Sequence, residues 1–106
     1  MQFGLEAFIP RQHKALMKKQ LIEEWDHQCA YCGHRQLHKE LTLDHVTPLA
    51  KMGTDNYSNL IPCCRSCNLS KGDKAIRQWY FDNPAYTKER WLKIRQHIEK
   101  EYVLAS

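Results

Sequence analysis

Two C-x-x-C pairs, Cys29-Ala-Tyr-Cys32 and Cys64-Arg-Ser-Cys67, constrain this 106-residue chain more than anything else in it. Each pair can form a knuckle in which two thiolates and the local backbone wrap one ion, and together they supply the four sulfurs of a closed, tetrahedral structural zinc site. A chain of this length buries one modest core, and small cores often depend on a metal or disulfide staple. The N-terminus has neither a charged segment followed by an apolar run nor a stretch long enough to cross a bilayer, so a cytosolic protein with no membrane partner is expected. In that setting paired cysteines hold metal more readily than they form disulfides.

Five cysteines leave one over, and the sequence Cys63-Cys64 raises the question of which thiol pairs with Cys67. If Cys63 ends a strand and Cys64 opens a helix, residues 64 and 67 lie one turn apart on the same face. That favours Cys64 as the ligand and leaves Cys63 as a small buried hydrophobe. His27, His34 and His38 flank the first knuckle and could substitute as ligands, but four well-spaced thiolates make them unnecessary.

Around this centre the pattern reads helix, short strands, helix. Met17, Leu21 and Trp25 recur at four-residue steps after Pro10, which suits a first helical position, so a helix is expected over about residues 10–25. Leu41 to Val46 alternates loosely before Pro48 and reads as a strand, as does Asn59 to Cys63. The connection between them, rich in turn formers, reads as a surface loop. Asp73 can cap a short helix carrying Ile76, Trp79 and Tyr80, and Thr87 can cap a last helix over about 87–102 with Trp91, Ile94, Ile98 and Tyr102 on its apolar stripe. The fold class is therefore α+β, with residues 1–106 read as one domain. A formal charge of +4 fits a polyanionic partner without requiring one.

A plain zinc ribbon has about 15–20 residues between its knuckles. Here the gap is longer and carries Asp44-His45 at the end of the first strand, Asn59 at the start of the second, and Asn68 just after the last cysteine. The stretch LTLDHVTPLAKMGTDNYSNLIPCCRSCNLSKGD, framed by CAYCG, resembles the HNH endonuclease family over residues 29–73. The match is specific, because D-H, N-L and C-x-x-C-N-x-x-K-G occur in order at workable spacings.

The resemblance implies a small ββα-metal (His-Me finger) core with zinc knuckles, flanked by N- and C-terminal helices, that hydrolyses phosphodiester bonds of double-stranded DNA. His45 would be the general base, since a neutral imidazole can take a proton from an attacking water. Asp44 and Asn68 would hold a hard divalent ion, Mg²⁺ or Mn²⁺. Asn59 would hold the hairpin loop and help orient the base. The family's third motif residue is often histidine; Asn68 in its place makes this an H-N-N variant and favours hard ions. Arg65, Lys71 and Lys74 would meet backbone phosphates. One compact site implies one strand cut per engagement, which leaves open nicking by a monomer and a double-strand break by a dimer or by two encounters, and the small stand-alone architecture suggests a phage or mobile-element origin. A non-catalytic zinc module that binds nucleic acid through its basic surface is the alternative.

Overall fold

The computed structural model of the chain describes residues 10–100, with side chains from residue 13 onward. Helix α1 spans Pro10–Glu24, strand β1 Leu41–His45, strand β2 Leu60–Cys64, helix α2 Arg65–Lys71, helix α3 Ile76–Tyr80 and helix α4 Lys88–Ile98. The two strands form one antiparallel sheet in which Leu41 pairs with Cys64 and His45 with Leu60. α2 follows β2 without an intervening residue, which completes the ββα unit expected from the sequence.

A two-stranded sheet is not stable alone and needs helices against it. Every residue of β2 is buried, and Leu21, Ile22 and Trp25 from the α1 end meet Leu41, Leu60 and Ile61 in one cluster with Trp79, Tyr80 and Ile94. Asp26 and His27 take left-handed φ values of 56° and 58°, and the His27 N–H reaches Ile22 O at 2.9 Å, so α1 stops and the chain turns into the first knuckle. Tyr31, inside that knuckle, packs edge-on against Trp79 and Tyr80 at 4.9 and 5.2 Å between ring centroids. Its carbonyl accepts from Tyr80 Oη at 2.7 Å and Arg90 Nε at 3.0 Å, tying α3 and α4 to the knuckle.

Two local expectations shift. α3 begins after Ala75, whose methyl side chain offers no cap, so Asp73 is not the N-cap residue. Thr87 does cap α4, accepting from the Arg90 N–H at 3.1 Å. α4 ends at Ile98, and Tyr102 lies outside the described residues. His97 joins the buried side of α4: its Nε2 lies 2.8 Å from Tyr57 O, so it supports the turn that precedes β2.

Candidate active site and metal centre

The sulfurs of Cys29, Cys32, Cys64 and Cys67 all lie within 4.8 Å of one another. Those of Cys32 and Cys64 are 3.9 Å apart, and two ligands each about 2.3 Å from a tetrahedral zinc stand about 3.8 Å from each other. Cys64 is the N-cap of α2, and its sulfur accepts the Cys67 N–H at 3.4 Å. On the other knuckle Gly33 has φ 79° and donates to Cys29 O at 2.8 Å, while a Cβ there would meet the Arg90 guanidinium at 2.8 Å. Glycine thus lets the knuckle close under Arg90.

The electrostatics also fit a cation. Burial pushes the Cys32 thiol up to about 11, whereas the neighbouring Cys63 and Cys67 thiols pull Cys29 down. Crowded thiols resist ionising together unless a positive charge offsets them. The four cysteines could hold a metal ion. Cys63 is fully buried, stands outside the four-sulfur cluster and donates to Cys64 O at 3.3 Å. His34 Nδ1 lies 3.4 Å from Cys32 Sγ, beside the cluster.

The D-H pair sits at the C-terminal end of β1. Asp44 and His45 line one cavity of about 350 Å³ together with Asn68, Gly72 and Asp73. Asp44 is 6% exposed, and its Oδ2 receives both Tyr31 Oη at 2.5 Å and Lys71 Nζ at 3.2 Å. Burial nevertheless raises the Asp44 carboxyl above the usual carboxylate range, against the pull of these two partners. Its neighbour His45 is more open and places Nε2 2.7 Å from Asp55 Oδ1, while Asp55 Oδ2 faces Lys14 Nζ at 3.4 Å. The His45 hydrogen bond, then Lys14, holds the Asp55 carboxyl below its ordinary value.

Asn59 turns away from the cavity to the loop. Its Nδ2 donates to Thr47 O at 3.0 Å and Thr54 O at 2.8 Å, and its Oδ1 accepts the Thr47 N–H at 2.9 Å. The hairpin loop is therefore cross-tied just after His45. Gly53 makes this fold-back possible: a Cβ there would stand 1.8 Å from Thr47 O.

The three cations singled out in the sequence part company. Arg65 is exposed and lines a second cavity, and Lys74 is exposed with Nζ 3.3 Å from Ser70 O. Lys71 is fully buried, bonded to Asp44 and, at 3.0 Å, to His45 O. A phosphate-contacting role for Lys71 is therefore corrected: an ammonium enclosed between Asp44 and the strand carbonyl cannot reach a DNA backbone. Tyr31, Asp55 and the inward use of Lys71 were missed by sequence reasoning, because each partner is brought in by tertiary structure.

With this geometry in view, comparisons with known proteins are informative. The HNH endonuclease family model matches residues 29–74. The SPbeta prophage-derived protein YoqL of Bacillus subtilis (strain 168), whose name assigns it to the HNH endonucleases, is 34% identical over 85 residues, covering 72% of this chain and 37% of YoqL. The CRISPR-associated endonuclease Cas9 of Corynebacterium diphtheriae is 35% identical over 65 residues, which is 60% of this chain and 6% of that protein. The crystal structure of the Type II-C Cas9 enzyme from Actinomyces naeslundii superposes with a TM-score of 0.62 at 17% identity, over 92% of this chain and 14% of that one. This chain thus spans little more than a third of YoqL and a small part of the Cas9 proteins. No described helix is long and apolar enough to cross a membrane. The D-H, N and C-x-x-C-N elements, set on a ββα unit with four clustered cysteines, all fall within the stretch that the HNH endonuclease family model matches.

Proposed function

We propose that the protein is a metal-dependent DNA endonuclease that nicks one strand per engagement. The observation that carries this reading is the meeting of Asp44, His45 and Asn68 on one cavity. A histidine beside two oxygen ligands suits metal-assisted hydrolysis of a phosphodiester.

Asp44 and Asn68 would hold the divalent ion, Mg²⁺ or Mn²⁺, through hard oxygen atoms. Tyr31 and Lys71 both bond Oδ2 of Asp44, which fixes the carboxylate and leaves Oδ1 out of those contacts. A bound divalent ion would supply Lewis-acid stabilisation of the scissile phosphate and of the leaving 3′ oxygen. Zinc suits the four-thiolate site, which offers no oxygen ligand and no open position, so its role is structural. DNA in its double-stranded form is the proposed substrate, cut by a monomer or a dimer, and the likeness to a prophage-derived protein supports a phage origin.

His45 takes the proton of the attacking water. The Asp55 carboxylate accepts from Nε2–H, so the lone pair lies on Nδ1 and that nitrogen is the base. Asp55, clamped from its other oxygen by Lys14, is a positioning residue for the imidazole. Asp55→Ala should lower the single-turnover nicking rate about tenfold with zinc content unchanged. Asp55→Asn should be no better, because an amide N–H facing Nε2 favours the opposite tautomer. Wild-type rates in both variants would remove Asp55 from the mechanism.

Asp44→Ala and Asn68→Ala test the function through its ion. Each should cut the nicking rate on supercoiled plasmid by about 10²-fold at limiting Mg²⁺, with partial recovery as Mg²⁺ or Mn²⁺ is raised. Activity equal to wild type at limiting metal in both variants would exclude them as ligands.

A further inference from the structure

We infer that the groove leading from Asn68 to Lys39 carries the DNA strand on one side of the scissile phosphate. The inference rests on the nuclease reading above for which phosphate is cut, and on the structure for where the strand goes next. A cavity of about 640 Å³ is lined by Gln36, Lys39, Thr42, Arg65 and Leu69, and it shares Asn68 with the cavity that holds Asp44 and His45. The two cavities adjoin at Asn68, so a polymer with one phosphate at Asp44 and Asn68 would run next into this second space.

Charge decides the direction. Lys39 and Arg65 are exposed and form no ion pair among the described residues. Glu40, the acid in the same cavity, has Oε1 turned to the Leu37 N–H at 3.2 Å. The catalytic cavity is also lined by Leu49, Ala50, Gly72 and Asp73, and the one charge among these four is negative and would repel a phosphate.

The chemistry of the lining suits a nucleotide strand. Arg65 offers a planar fork for a phosphate and Lys39 a mobile point charge. Gln36 and Thr42 add hydrogen-bonding groups, and Leu69, 72% exposed, presents an apolar face to a sugar or base edge. Because the α2 residues 65, 68 and 69 share one side of the helix, the helix that the cysteines anchor also carries the strand past the site.

The test measures binding separately from cutting. Lys39→Glu and Arg65→Glu are made in a non-cleaving His45→Ala background, with Lys88→Glu on α4 as an equal charge change outside both cavities. Fluorescence anisotropy with a labelled 20-base-pair duplex, a length of our choosing at roughly two helical turns, should show each groove variant binding about tenfold more weakly. The slope of log affinity against log salt should shrink by about one. Lys88→Glu should stay within about twofold of its parent. Lys39→Gln and Arg65→Gln should lose less than the glutamates, in step with charge. Zinc content and circular dichroism confirm that these exposed changes leave the fold intact. Groove variants that bind no worse than Lys88→Glu, while wild-type protein nicks plasmid, overturn the groove and leave the nuclease reading standing. Loss of binding in the groove variants, with wild-type protein failing to nick, keeps the groove and removes the chemistry.

Discussion

Cys29→Ser and Cys64→Ser are each expected to abolish zinc binding and to unfold the protein, whereas Cys63→Ser keeps both zinc and fold. The size of the effect follows from the cluster. Structural zinc contributes on the order of 10 kcal/mol in small domains, as large as the whole net stability of about 5–15 kcal/mol that a domain usually has. The four sulfurs join the knuckle after α1 to the start of α2, so their loss separates the two ends of the core. Cys63 is equally buried but is outside the cluster, and a serine hydroxyl can donate to Cys64 O as the thiol does. Its cost is about 1–3 kcal/mol for placing a more polar group in the core. Elemental analysis and thermal melts of the three variants decide it. Zinc lost from Cys63→Ser and retained by Cys64→Ser would reverse the ligand assignment.

His45→Ala should eliminate cleavage while leaving zinc content, melting temperature and DNA affinity near wild type. Loss of a general base costs about 10²–10⁴ in rate. The side chain is 27% exposed and its side-chain partner, Asp55, is itself at the surface, so truncation leaves little unsatisfied inside the protein. Quantitative gels of plasmid conversion over time give the rate. Cleavage that persists at wild-type speed in His45→Ala would end the proposed mechanism.

The cysteine framework and the approximate places of the two strands were legible because their signals are local. Two C-x-x-C pairs and a D-H before a proline state their chemistry within a few residues. The second strand was placed at Asn59 to Cys63 and is found at Leu60–Cys64, a one-residue slip that matters. Asn59 sits in the tight turn before the strand, where its amide can reach back to Thr47 and Thr54. Lys71 was misread because a lysine near a glycine at a helix end usually lies in solvent. Here the seven-residue α2 presses that position against β1, and the ammonium is stabilised by Asp44, 27 residues earlier. Asp55 looked like a turn former within a polar loop. Only the Asn59 ties and the close approach at Gly53 bring its carboxylate to His45. Similarly, Tyr31 is one of the two unspecified residues of a knuckle, and its use on Asp44 becomes visible only when the knuckle packs beside β1. Ile22 and His97 lie outside the apolar stripes read on their helices, yet both are buried.

The most direct measurement is incubation of zinc-loaded protein with supercoiled plasmid in the presence of Mg²⁺ or Mn²⁺ and, in parallel, without added divalent ion. In the proposed mechanism one base and one divalent-ion site per chain would align water against one phosphate at a time, so open circles should accumulate first and linear DNA later, only where the ion is present. Linear product without an open-circle precursor would contradict single-strand nicking. Plasmid left intact under every metal condition would contradict the nuclease assignment itself and favour a zinc-stabilised module that binds nucleic acid without cutting it.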